Sequence, residues 1–321
     1  MNNVWSGALL LLLTLGFAAS LPAEDASARS GAMWAYQTDQ FLESAVARAE
    51  LFQFCTARKI ADLFLQARFE RSSKDGPFQM HDADKTRAFL KEASGHGLRI
   101  HALAGDPSHV LRANHERVLA RVDALAEFNN SSPADSRFAG IHFDIEPHAM
   151  PQWKTSSEEE KCSLLTQFVE VNAKAAEKLR KLSPGTLYGA DVAFWLDKVK
   201  DDGSPAYPVT FRGATKDATK HLLDFVDNLG TMSYRNKSEG RNGMIAIVER
   251  SIAYADTAKG RVFVGVKMAD NGPKLESYFG STEQEMNAEL QKVQAAYAKH
   301  RGYAGLAYFM YAAFRTMPQG K

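Results

Sequence analysis

The feature that most constrains this chain is a strand-then-helix alternation that repeats eight times. Short apolar runs bounded by turn residues recur at Met33–Gln37, Asp62–Gln66, Arg99–Ala104 and Gly140–Glu146. Four more follow at Leu187–Phe194, Asn228–Tyr234, Val262–Met268 and Gly305–Met310. Charged segments with helical periodicity lie between them: Asp39–Ala57, Asp82–His96, His109–Phe128, Ser157–Leu182, Ala214–Phe225, Gly243–Ala258 and Thr282–His300. Parallel strands joined by right-handed helical crossovers are the arrangement that such an order permits. Eight units match a single α/β domain, a (β/α)8 TIM barrel over residues 31–317. An open doubly wound sheet is disfavoured, because no Gly-rich phosphate turn follows the first run. Two local signals support the helices. Thr282 and Glu285 have capping-box spacing, and the acidic Ser157–Lys161 stretch reads as a solvated helix start favoured by the dipole.

Composition narrows the class further. Hydrophobic residues are 45% of the 321, enough to build a core and too many for a disordered chain. A net charge of +1 argues against a broad basic face, and therefore against nucleic acid as a partner. The two cysteines, Cys55 and Cys162, sit in separate helical segments and are expected to remain free thiols. Ahead of the barrel, the apolar run Ala8–Ala19 precedes small residues up to Ala23, so residues 1–23 read as a signal peptide and 24–30 as a polar leader. The expectation is a secreted or periplasmic protein with no membrane insertion after cleavage. No heptad pattern or apolar stripe indicates an oligomeric state.

In a barrel of this type the chemistry sits where the strands end. The fourth run, Gly140-Ile-His-Phe-Asp-Ile-Glu-Pro-His148, is the most informative. Period two places His142, Asp144 and Glu146 on one face, with Ile141, Phe143 and Ile145 on the other. Three polar groups facing a barrel interior are unfavourable unless satisfied or used. Two neighbouring carboxylates repel, which raises a pKa toward the range of a general acid.

These residues resemble the family 18 chitinases and related glycosidases, whose fourth strand carries D-x-x-D-x-D-x-E. The resemblance implies a glycosidase that needs no cofactor. It places Glu146 on the catalytic acid and Asp144 on the carboxylate that orients the substrate's acetamido group. Met232-Ser-Tyr234 resembles the family's M-x-Y, which implies that Tyr234 contacts that group or the oxazolinium intermediate. The chain departs from the pattern at Ala139 and His142, which replace two aspartates, and at Arg235, which follows the tyrosine in place of an aspartate. It also offers Tyr308, Phe309 and Tyr311 in the eighth run, where the chitinases place a tryptophan. The departures point to a divergent chitinase-like barrel acting on a different polysaccharide or amino-sugar glycan.

A carbohydrate ligand makes sense of the remaining candidates. Flat aromatic faces stack on pyranose rings, and Trp34, Tyr36, Trp153, Trp195, Tyr308 and Tyr311 lie near strand ends, Trp153 and Trp195 most suitably. Asp191 in the fifth run is placed to orient a water or hydroxyl, and Asp106 to bond a sugar. His142, His148 and Met232 complete the substrate-binding set. Arg235 suits an anionic substituent such as a uronate or phosphate, or else pairs with Asp144 or Glu146. Lys267 stands where many retaining glycosidases carry a strand-seven carboxylate, while Asp270 and Glu276 follow in the loop. Substrate assistance, which needs only Asp144, Glu146 and Tyr234, is therefore the preferred scheme. Two alternatives stay open. If Lys267 pairs with Glu146, a noncatalytic glycan-binding barrel results. The cluster His142, Asp144, Glu146 and His148, with His101 and Asp106 nearby, would also suit a metal-dependent hydrolase.

Overall fold

A computed structural model describes residues 30–74 and 76–320. The expected signal peptide and nearly all of the polar leader lie outside the described residues. Eight parallel strands close into a barrel: β1 Gly31–Ala35, β2 Ile60–Gln66, β3 Arg99–Ala104, β4 Gly140–Phe143, β5 Leu187–Ala193, β6 Asn228–Met232, β7 Arg261–Lys267 and β8 Tyr303–Phe309. Each pairs with its sequence neighbours, and β8 closes on β1 through Ala32↔Ala307 and Met33↔Tyr308. The (β/α)8 expectation is met, with strand boundaries displaced by a few residues. Among the described residues, no helix is long and apolar enough to cross a membrane.

The helical crossovers depart from expectation in instructive ways. The segment expected to be one helix over Asp39–Ala57 breaks at Ser44, whose hydroxyl accepts from Ala47 N and starts a second helix, Ala45–Ala57. Ala214–Phe225 is only half helical. Its first residues pair with Val209–Phe211 in an antiparallel hairpin, and Asp217 then caps the short helix Ala218–Leu223. His109–Phe128 begins as two single 3-10 turns before the helix His115–Asn130. Both signalled starts are present: Ser157–Glu160 and Thr282–Glu285 form reciprocal capping boxes. The helix after Ser157 carries Glu158, Glu159 and Glu160 in its first turn and Arg180 and Lys181 in its last, matching the helix dipole at both ends. Cys55 and Cys162 are free.

Two cores result from strand alternation. The larger lies between strands and helices; the smaller fills the barrel with Ala32, Trp34, Phe64, Leu103, Phe263 and Ala307. Below this inner layer sits an ion pair whose carboxylate is buried. Asp62, 3% exposed, accepts from His101 Nε2 at 2.9 Å and from Arg99 Nε at 2.8 Å. Burial would push the Asp62 carboxyl up, but the bonds from His101 and Arg99 outweigh it and hold the pKa at about 2.

The Asp62 pKa lies below the ordinary value of 3.8, so its stabilisation is complete above about pH 4 and is lost as pH falls toward about 2. The pH-linked part amounts to roughly 2 kcal/mol, most of it through His101, because the Arg99 side chain is over half exposed to solvent. Asp62→Asn should therefore lower unfolding free energy at pH 7 by about this amount. In urea unfolding, the gap to wild type should narrow between pH 4 and pH 2; a gap constant with pH would contradict the assignment.

Candidate active site

At the C-terminal end of the barrel, a cavity of about 350 Å³ opens between the ends of β1, β4, β5, β6, β7 and β8. Its floor is built on Asp191 of β5. Trp34 Nε1 donates to Asp191 Oδ2 at 3.1 Å, and His142 Nε2 donates to Asp191 Oδ1 at 2.9 Å. The other ring nitrogen of His142 lies 3.1 Å from the Asn228 amide oxygen, and Phe64 stacks on the ring at 4.0 Å between centroids. Glycine at two neighbouring positions makes this possible. A Cβ at Gly230 would lie 2.0 Å from Asp191 Oδ1, and one at Gly189 would lie 2.2 Å from His142 Nδ1. The sequence alternation in the fourth run thus put His142 inside correctly, but it supports the floor and does not line the cavity.

Strand pairing of β4 stops at Phe143, so Asp144 and Glu146 stand just beyond the ladder, and Pro147 opens a single 3-10 turn. Both carboxyls line the cavity. Burial raises the Asp144 pKa well above the usual carboxylate range, and the charges of Asp191 and Glu146 raise it further. Burial also raises that of Glu146, as does Asp191, whereas its hydrogen bond with Asp144 lowers it. Two buried carboxyls this close retain a proton between them more readily than either would alone. Asp144 Oδ1 is buried with no hydrogen-bond partner. His148 Nε2 stands 3.4 Å from Glu146 Oε2, and burial lowers the His148 pKa, favouring the neutral ring.

Tyr234 follows β6 and lines the cavity. Burial, followed by the Asp191 and Asp144 charges, raises its pKa well above the ordinary phenol value, so the hydroxyl stays protonated. Lys267 ends β7 with its Nζ 5.6 Å from the Tyr234 ring centroid, and donates to the backbone carbonyl of Asn271. Arg235 lies 4.8 Å over the Phe194 ring and has Glu276 as its ion-pair partner, at 3.9 Å. Neither cation pairs with Asp144 or Glu146, which corrects that expectation for both.

Of the other expected residues, Trp34, Met232, His148 and Trp195 also line this cavity. Five do not. Trp153 is buried behind Trp195, with ring centroids 5.7 Å apart. Asp106 accepts from Ser108 N at 2.8 Å and caps a 3-10 turn. His142 lies beneath, as described. Tyr36 faces an adjoining hollow of about 300 Å³ that shares Asp144 with the main cavity. Tyr308 points to the helix side and stacks on Phe314 at 4.9 Å, and Tyr311, a further sugar-stacking candidate, packs on Phe41. The cavity's aromatic from β8 is instead Phe309, in register with Lys267. Phe194 and Asn271 were also not anticipated, since neither belongs to a motif. Among the described residues no three His, Cys, Asp or Glu side chains form a group suited to a metal ion. The proposed His142, Asp144, Glu146 and His148 ligand cluster therefore does not assemble, because His142 is turned to Asp191 and Asn228.

With this geometry in view, the fold can be compared with known proteins. No protein-family model matches the sequence, and no curated protein does either. Solved structures do match. The chain resembles catalytic domain 2 of the Ostrinia furnacalis Group II chitinase at a TM-score of 0.52 and 11% identity, covering 88% of this chain and 90% of that one. The β-mannanase of the blue mussel Mytilus edulis gives 0.56 and 11%, over 88% and 86%. The endo-1,4-β-mannanase of Eisenia fetida gives 0.53 and 10%, over 90% and 83%. The chain therefore has the TIM-barrel fold of chitinase-like and mannanase-like glycoside hydrolases.

Asp191 ranks just behind burial in raising the Glu146 and Asp144 carboxyls. Asp191→Asn removes a negative charge, which favours the ionised form of its neighbours, so both titrations should move to lower pH. Carbon-13 NMR of the two labelled carboxyl carbons reads this directly; midpoints that stay put or rise would show that the charge of Asp191 is not what holds them up.

Proposed function

We propose that the chain is an exported glycoside hydrolase acting on a polysaccharide or amino-sugar glycan, with Glu146 as general acid and Asp144 as the substrate-orienting carboxyl. The observation that carries this reading is that Asp144 and Glu146, two residues apart at the end of β4, open on one cavity at the strand ends, where burial and the Asp191 charge push both carboxyls up. Such a pair is suited to acid catalysis because it retains a proton at a pH where isolated carboxylates have lost theirs.

The proton retained by the pair is delivered by Glu146 to the glycosidic oxygen as the bond to the sugar breaks. Asp144 is left as a carboxylate. It accepts from the N–H of a neighbouring acetamido group, whose carbonyl oxygen attacks the anomeric carbon, and water later opens the cyclic intermediate. Tyr234, kept protonated, is a donor for the same acetamido oxygen. This scheme requires no second nucleophilic carboxylate, in keeping with Lys267 at the end of β7. Trp195 and Phe309, both partly exposed, supply flat faces against which a sugar ring can stack.

Glu146→Gln preserves size and hydrogen bonding but has no proton to transfer. Turnover of a cleaved glycan should fall by about 100-fold or more, with binding retained. Product release from a panel of polysaccharides and N-acetylated oligosaccharides measures it. Unchanged turnover would remove Glu146 from the acid role, and glycan binding without turnover in either protein would favour a noncatalytic barrel.

A further inference from the structure

The cavity has a second wall that the acid chemistry does not use. Lys267 is only 6% exposed, yet among the described residues no carboxylate lies within 4 Å of its Nζ, and its hydrogen bond goes to the backbone carbonyl of Asn271. An ammonium has three donors, and a buried cation without a counter-ion is unfavourable. Beside it, Arg235 has a buried Nε with no partner, while its Nη1 donates to Tyr234 O at 2.7 Å. Its guanidinium plane is held over Phe194, and among the described residues Glu276, at 3.9 Å, is the one carboxylate within 4 Å of it. The wall thus presents two cations against one loosely placed anion.

These cations are not the counter-ions of the acid pair. Neither Lys267 nor Arg235 lies within 4 Å of a carboxylate oxygen of Asp144 or Glu146; Arg235 faces Glu276 and Lys267 the Asn271 carbonyl. All four side chains nonetheless line one cavity.

We infer that Arg235 and Lys267 form a subsite for an anionic substituent, a carboxylate or a phosphate, on the sugar seated in this cavity. The substrate class is then an acidic glycan. The inference rests on the glycan-directed reading of the same cavity. Lys267 supplies a compact charge and Arg235 a planar fork, and together they complete their own unsatisfied donors on the substituent. Bound there, the anion is kept away from the carboxyls that must hold a proton.

Calorimetric titration of the Glu146→Gln protein tests this with two matched pairs of oligosaccharides. One pair is a uronate-containing oligosaccharide and its carboxyl-reduced form; the other is a phosphorylated oligosaccharide and its dephosphorylated form. The anionic member of one pair should bind about 10- to 100-fold more tightly, and the pair that discriminates identifies the substituent. That preference should shrink to about twofold when Lys267→Met or Arg235→Gln is added. Thermal unfolding of each variant checks folding, and Arg235→Gln, at the more open position, serves if Lys267→Met does not fold. Equal binding within both pairs, absence of binding to all four, or a preference untouched by either substitution would overturn the inference. The glycosidase reading fails separately, through turnover that Glu146→Gln leaves unchanged, and an anionic preference can hold or fail in either case.

Discussion

Asp191 is held by Trp34 from one side and by His142 from the other, and the upper half of the barrel is arranged around that contact. The two donors fix the carboxylate across the barrel axis, from β5 toward β1 and β4, so the floor of the cavity is a rigid polar bridge. Its charge then acts upward on both Asp144 and Glu146. A buried carboxylate is tolerable because two N–H groups satisfy it, and its field is strong because Phe64 and the apolar inner layer exclude water beneath. Supporting structure and electrostatic tuning of the site are in this case the same interaction.

The same device appears one layer lower with the opposite result. Asp62 also meets a histidine, but Arg99 joins it and no second carboxylate is near, so its pKa falls to about 2. Among the described residues Asp144 pairs with no cation, so burial, with Asp191 and Glu146 as neighbours, raises its pKa. Burial acts in the same direction on both groups. The partners decide the sign, and they separate an interior ion pair that stabilises the barrel from a carboxyl that stays protonated.

The fold was legible because each strand interrupts a charged helical stretch with a short apolar run, and eight such runs leave little choice of topology. The position of Asp144 and Glu146 was legible for a narrower reason: β4 leads into them with strict polar and apolar alternation, so its parity can be read. The eighth run, GLAYFM, is apolar throughout, and nothing in it distinguishes Tyr308 on the helix side from Phe309 in the cavity. The hairpin Val209–Lys216 was hidden for a related reason, since its strands are three residues each and carry no periodicity. Trp153 and Asp106 were misplaced because both follow strand ends in turns whose direction depends on local capping, as at Asp106, and on packing, as at Trp153.

The cavity segregates its charges, and that segregation bears on what can occupy it. The carboxyls gather on the β4 and β5 side, where burial and the Asp191 charge push the Asp144 and Glu146 carboxyls up. The cations stand at the ends of β6 and β7, braced by aromatic rings and a backbone carbonyl. Had Lys267 or Arg235 paired with Glu146, the proton affinity of that carboxyl would have dropped. A neutral sugar would leave the cationic wall unsatisfied, whereas one bearing an anion at the far edge of its ring would satisfy it without disturbing the acids. The departures from the chitinase pattern at Arg235 and at the end of β7 therefore have one physical meaning in common: each adds positive charge on the side of the cavity away from the Asp144 and Glu146 carboxyls.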